Sequence, residues 1–541
     1  MILTKKYNLP FYINSIIISI IVAIPLFTVF FGFFENTTEY FSILRNTFLN
    51  EYITNSLFIL ICVVLLTFFF GFTSAYLVSF YSFPLSNFFK WSLILSFAVP
   101  AYIFAYSITA FFESYGTAYS ILFKIFGENE YHKFIPKFDG LFGSIISLSF
   151  SLFGYVYVLT RATFFYQTQN LFDVGKNLGF SKEKTFTKII LPSVRPSIIA
   201  GLSLVAMETL SDFGAVSFFG VSTLTTGIYN AWISFDDLAL ANRLAFILIV
   251  FIFLLFILES LSRKKAKYHN SSSNALKRMK VLKLKGIKST LAFLFCFTLF
   301  FLSFLFPVLQ MLYWTFKFPS YINDINFISL SLNTLSLVII SSFILLFFSF
   351  LNNFSNRITN SKFLDILNTF SISGYAMPGI ILALAFMSFF SWFSNFTGYN
   401  LKSLMIGSIG GLVLAYFVRF YSLSFNSIKS NYLKINKSID ESAYLLGYSK
   451  FKIFYNIHLP FLKKSCLLIT VLVTIEIIKE LPITLILRPF NFETFATKAY
   501  SFASQDLLEA AAFPSLCLIS WSSIFILVSS KYFLSRERSL I

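Results

Sequence analysis

Apolar stretches long enough to cross a bilayer alternate along this chain with short polar ones. They fall near 11–34, 53–80, 91–112, 140–160, 196–215 and 243–261, and again near 289–314, 331–351, 366–392, 404–425, 465–484 and 513–530. Each is close to or above the ~20 residues that a helix needs to span the hydrocarbon core. The pattern predicts an all-α integral membrane protein with about twelve transmembrane helices.

The polar gaps set the expected topology. Between the two series lies a linker, 263–288, that carries Arg263, Lys264, Lys265, Lys267, Lys277, Arg278, Lys280, Lys283, Lys285 and Lys288 and no acid. Basic loops stay in the cytoplasm. The tail with Lys531, Arg536 and Arg538 points the same way. Loops holding Glu35, Glu39 and Glu51, or Glu128, Glu130 and Asp139, are not enriched in base and are assigned outside. Lys5 and Lys6 precede a first apolar stretch that is too long for a signal-peptide core and lacks a small-residue cleavage site, so a retained helix is expected. Both termini are then cytoplasmic. The chain divides into a first half, 1–262, the linker, and a second half, 289–541, with six spans in each half.

Composition agrees with that reading. Charged residues make up 12% of the 541, against ~25% in soluble domains, and Phe alone occurs 76 times. The net charge of +18 collects in inter-helix loops rather than in a stripe, which argues for a lipid bilayer as partner and against nucleic acid. Cys62, Cys296, Cys466 and Cys517 lie singly in apolar segments, and His132, His269 and His458 are scattered, so a His/Cys metal site is not expected.

The two halves repeat each other. Leu-Gly-Phe-Ser-Lys-Glu-Lys-Thr-Phe-Thr-Lys-Ile-Ile-Leu-Pro at 178–192 matches Leu-Gly-Tyr-Ser-Lys-Phe-Lys-Ile-Phe-Tyr-Asn-Ile-His-Leu-Pro at 446–460 in nine of fifteen positions, at an offset of 268. Asn55 and Pro100 match Asn333 and Pro378 at an offset of 278, so one ten-residue indel separates the registers. An even number of spans per repeat gives both halves the same orientation and predicts an axis along the membrane normal.

The duplicated segment lies between the fourth and fifth spans of each half, on the side assigned to the cytoplasm. It reads as helix–turn–helix. Asp173 to Leu178 predicts a short helix, Gly179 its left-handed cap, Ser181 the N-cap of a second helix, and Pro192 that helix's end.

These residues resemble a known pattern, Glu-Ala-Ala, then Gly, then Ile-x-Leu-Pro, which marks the permeases of ABC importers. The second copy is close, with Glu441, Ser442, Ala443, Gly447, Ser449, Ile457, Leu459 and Pro460; the first has Asp173, Val174 and Gly175 in place of the opening triplet. The resemblance implies coupling loops near 171–195 and 438–464 that dock onto a separate ABC ATPase subunit dimer. It also implies a transport subunit that performs no covalent chemistry. No Gly-x-x-x-x-Gly-Lys-Ser/Thr loop occurs in the chain, so ATP is expected on the partner subunit and no cofactor in this chain.

Beyond each loop lie paired acids. Glu208 and Asp212 fall in the fifth predicted span and Glu476 and Glu480 in the eleventh, again offset by 268. Spacing of i, i+4 predicts that each pair stacks on one helical face. Acids inside a membrane face a partner or a cavity. Two readings stay open: an ion-pair network with Lys479, or a translocation path whose hard oxygens suit a highly charged cation as transient metal ligands.

The flanking residues, Met207 to Val216, Phe219-Gly220-Val221, Thr225 to Tyr229 and Lys479 to Pro489, resemble ferric-iron importer permeases of the fused two-half type. That resemblance implies a bacterial inner-membrane protein supplied by a periplasmic ferric-iron-binding protein. Related importers of thiamine, phosphonate or polyamine share parts of these stretches, and an ion-gradient-driven secondary transporter is the alternative from another class.

Overall fold

The computed structural model describes residues 9–35, 40–127, 135–264, 281–323, 325–359, 361–400, 402, 405–433 and 435–539. Lys5, Lys6, Glu39, Glu128, Glu130, His132, His269 and the linker bases from Lys265 to Lys280 lie outside the described residues. The described chain is helical almost throughout. Tyr81–Ser82 and Leu282–Lys283 pair as a two-residue parallel ladder.

Among the described residues, nine helices are long and apolar enough to cross a membrane. Ten are reached if Ser86–Ala98 and Ala101–Phe126, bent by 93°, count as one broken span. The expectation of twelve is therefore met only in part. The predicted spans at 404–425 and 465–484 fall on helices Ile409–Tyr432 and Leu459–Ile478. The first carries Arg419 and Lys429, and the second ends before the acid at 480.

Two packing units form, and they do not follow the sequence halves. One unit comprises 1–41, 228–247 and 326–497; the other comprises 42–227, 248–325 and 498–541. In the first unit, helix Leu9–Gly32 packs against second-half helices Phe327–Thr359, Lys362–Ile372 and Gly379–Thr397. A buried polar seam fixes it there. Asn14 Nδ2 and Ser15 Oγ both donate to Asn352 Oδ1, whose own amide donates to Tyr421 OH at 2.6 Å. Such bonds form readily because hydrocarbon offers a side-chain amide no other partner.

The second unit borrows in the opposite sense. Second-half residues Ile287–Lys317 and Leu508–Ser539 pack with first-half helices. Gln310 Nε2 donates to Thr117 Oγ1 at 2.8 Å. Helix Leu49–Phe80 lies close against Gly140–Asn177, where a Cβ on Gly71 would stand 2.6 Å from Val156 Cβ. Glycine permits that backbone approach.

The repeat read from sequence reappears as local geometry. Pro100 and Pro378 each precede a helix, Ala101–Phe112 and Gly379–Thr397, directly after a 3-10 turn. Asn55 Nδ2 donates to Ser222 O at 2.9 Å, and Asn333 Nδ2 donates to Glu493 O at 3.0 Å. Each matched asparagine thus ties a long helix to the loop that follows an acid pair.

Candidate functional site

The duplicated loops share their turn and differ in how they are reached. In the first, Asp173 lies in the last turns of the 38-residue helix Gly140–Asn177, and not in a separate short helix. The run from 140 holds no Pro or cap signal to stop it sooner. Gly179 ends it with φ +70°, and Phe180 N–H donates to Gly175 O at 2.9 Å. In the second loop, Asn436 caps a separate helix, Lys437–Leu445, that carries Glu441 and the buried Ala443. Gly447 turns with φ +77°, and Tyr448 N–H donates to Ala443 O at 3.0 Å. A left-handed residue closing such a bond is the Schellman arrangement.

Ser181 and Ser449 cap the next turns, accepting from the N–H groups of Lys184 and Lys452 at 3.3 and 3.4 Å. Pro192 and Pro460 do not end a helix, contrary to the expectation. They sit in the first turns of Leu191–Ser211 and Leu459–Ile478, each preceded by one π-helical turn, Phe186–Ile190 and Phe454–His458. The wider turn accommodates the missing proline N–H, so the chain runs on as a helix.

The first loop departs from the Glu-Ala-Ala pattern at Gly175, and the structure supplies a steric reason. A Cβ there would meet Thr185 Cγ2 at 2.3 Å, so alanine does not fit. Both turns leave apolar side chains outside: Leu178 is 59% exposed and its counterpart Leu446 is 77% exposed. Leu445 and Phe451 extend the second surface.

The second loop is held by charge. Arg357, at the end of helix Phe327–Thr359, pairs with Asp440 at 2.6 Å, and His458 Nε2 meets the other Asp440 oxygen at 2.9 Å. Burial alone would raise the Asp440 carboxyl. The hydrogen bonds and charges of Arg357 and His458 outweigh that and hold it below the usual carboxylate value. A depressed carboxylate adds stability above its unfolded pKa and loses it as pH falls through the folded one. The thermal-stability difference between wild type and Asp440→Asn is therefore expected to be constant across neutral pH. It should widen first as acid protonates His458, which Asp440 favours, and close only when stronger acid titrates the depressed carboxyl, which melting curves across an acid series would show.

The paired acids do not stack as expected. The helices end at Ser211 and Ile478, so Glu208 and Glu476 lie on them while Asp212 and Glu480 lie beyond. There the later acids serve as caps. Asp212 Oδ1 accepts from Ala215 and Val216 N–H at 3.0 and 3.2 Å, at the start of Gly214–Phe218. Glu480 Oε1 accepts from Ile483 N–H at 3.3 Å, at the start of Pro482–Leu487. An acid followed by Gly or Pro was the available signal for a helix start.

Their surroundings differ. Glu480 is buried and pairs with Arg419, Nε to Oε2 at 3.3 Å, while Arg419 Nη1 donates to Met377 O at 3.2 Å. Lys479 pairs with Glu476 at 3.0 Å. Sequence spacing pointed to Lys479 and missed Arg419, which lies 61 positions before Glu480. At the position matching Arg419 the first half has Ser151. Asp212 instead borders a small cavity of mixed lining, with Ser56, Thr209, Thr223 and Thr225 beside Ile59 and Val216. Among the described residues, no group of three or more His, Cys, Asp or Glu is placed to hold a resident metal ion.

Comparison with known proteins gives these loops a context. Residues 67–267 match the family described as binding-protein-dependent transport system inner membrane component, a stretch that includes the first loop, Glu208 and Asp212. The chain is similar to the Fe(3+)-transport system permease protein FbpB 2 of Haemophilus influenzae, 23% identical over 97% of this chain and 98% of that one. It is 35% identical over 98 residues to the probable transport system permease protein NifC of Clostridium pasteurianum, covering 17% of this chain and 34% of that one. It is 23% identical to the sulfate transport system permease protein CysT of Salmonella typhimurium, over 28% of this chain and 51% of that one. With apolar spanning helices, a matched family segment at 67–267 and end-to-end similarity to a permease, the chain is similar to the inner membrane components of binding-protein-dependent transport systems.

Proposed function

We propose that this chain is the permease of an ABC importer and carries ferric iron inward, powered by a separate ATPase dimer that docks on the loops near 171–195 and 438–464. The similarity to a ferric-iron permease along nearly the whole of both chains carries the choice of cargo. The coupling role is supported by the matched glycine turns, which leave Leu178 and Leu446 exposed, with Leu445 and Phe451 beside the latter. An exposed apolar group rimmed by polar residues suits a protein partner. In this reading both termini are cytoplasmic, ATP is bound by the partner subunit, and a periplasmic protein delivers the ion.

Each unit offers the cargo an acid-bearing hairpin, Glu208 with Asp212 in one and Glu476 with Glu480 in the other. Hard carboxylate oxygens favour a highly charged cation over a neutral or anionic solute. Lys479 and Arg419 temper the charge of the second hairpin. Uptake of radiolabelled ferric iron into vesicles holding this chain, its ATPase and its binding protein is expected to require internal ATP and to resist competition by sulfate or thiamine. ATP-driven uptake of another solute in place of iron would overturn the cargo and leave the permease.

A further inference from the structure

The second loop contains a break that the first does not. Helix Gly140–Asn177 runs unbroken into its glycine turn, so the first loop is an extension of a membrane helix. In the second half the corresponding helix stops at Tyr432, and the docking helix restarts at Lys437. A side chain spans that gap. The Arg357 guanidinium donates from Nη1 to Tyr432 O at 3.0 Å and from Nη2 to Ile435 O and Asn436 O at 3.0 and 3.2 Å. Its Nε donates to Asp440 Oδ2 within the docking helix at 2.6 Å. Tyr432 and His458 close the site, with ring centroids 5.3 Å apart.

One planar fork thus reaches four acceptors: the end of one helix, both sides of the connection, and the first turn of the next. Only arginine has donors in that layout; a lysine ammonium is a point charge. The first half does not carry these residues. At the positions matching Arg357, Asp440 and His458 it carries Ser79, Phe172 and Ile190, and Phe172 meets Phe80 ring to ring at 6.1 Å.

We propose that Arg357 is a positioning residue for energy coupling: it makes docking helix Lys437–Leu445 move with helix Phe327–Thr359. Motion of the ATPase then enters the second half through a side-chain clamp and the first half through a continuous helix. This rests on the coupling role proposed above for the loops.

The test uses the full chain with its ATPase in proteoliposomes. Spin labels at Phe343→Cys and Lys437→Cys, in a background with the four native cysteines replaced, report the distance between the two helices. Wild type is expected to give one narrow distance that keeps its width between ADP and ATP states. Arg357→Gln and Arg357→Lys should at least double that width, and ATP consumed per ferric ion transported should rise at least tenfold with Arg357→Gln.

A purely structural loss would lower the amount of assembled complex and leave that ratio unchanged, which would overturn the proposal. An unchanged width in Arg357→Gln would do the same. Should Arg357→Gln fail to assemble, Asp440→Asn removes one arm of the clamp and is expected to broaden the distance, and an unbroadened distance there would overturn the proposal. A wild-type chain that binds no ATPase would instead overturn the coupling role itself, while the distance measurement would still report on Arg357.

Discussion

On the proposed function, the Gly447→Pro variant is expected to reach the membrane yet transport nothing, while the partner ATPase keeps hydrolysing ATP. Gly447 sits at φ +77°, and proline is locked near −65°, so the turn cannot form. Its N–H, which donates to Tyr444 O at 3.0 Å, is lost as well. The bond from Tyr448 N–H to Ala443 O depends on the same reversal of the chain. Disruption of this kind costs about 3 kcal/mol or more, concentrated in a loop outside the spanning helices. Gly447→Ala is the graded control. A left-handed alanine costs about 1–2 kcal/mol, and nothing lies within 4 Å of a Cβ placed there, so coupling should weaken without vanishing. Wild-type transport per ATP in the proline variant would remove this loop from the coupling path.

The second large effect belongs to the buried pair. Arg419→Ala should destabilise the protein by about 3–5 kcal/mol, the usual result of breaking a buried ion pair by removing one side of it. Glu480 is held against Gly379, where a Cβ would come within 2.6 Å of its Oε1, so it has little room to swing toward water. Replacing both partners with Met should recover most of the loss, since paired buried charges and well-packed apolar groups are often nearly equivalent in stability. Asp212→Asn is the contrasting case. It retains an oxygen to accept from Ala215 and Val216, and among the described residues no ion pair is broken with it. Thermal unfolding in detergent would separate the three variants. A single Arg419→Ala that melts with wild type would mean that the pair carries no stability.

Much of this was legible in the sequence for a physical reason. The bilayer imposes a length on apolar segments, and duplication repeats every residue that a turn requires. Gly179 with Gly447, Ser181 with Ser449, and Asn55 with Asn333 were readable as pairs, and each pair adopts the same local geometry. The helix ends were not readable from periodicity. An i, i+4 spacing places Asp212 over Glu208 only if the helix continues, and it stops one residue short. Partner choice was also beyond sequence. Lys479 was the nearest base to Glu480, yet a buried carboxylate takes whichever cation the fold delivers, here Arg419 from another helix. The exchange of first helices between packing units left no trace in the hydrophobic pattern, because a spanning helix reads alike whichever neighbours receive it.

That exchange sets a timetable for biosynthesis. Asn14 leaves the ribosome early, but its partner Asn352 is 338 residues away in the chain. At about 5–20 residues per second, the first helix waits roughly 17–70 s in the bilayer before its acceptor is made. During that interval its polar residues have only lipid, a chaperone or other nascent helices as company. The first 262 residues made alone would hold an orphaned helix with the Asn14 amide and the Ser15 hydroxyl unmatched, marking the fragment for quality-control proteases until the second half arrives.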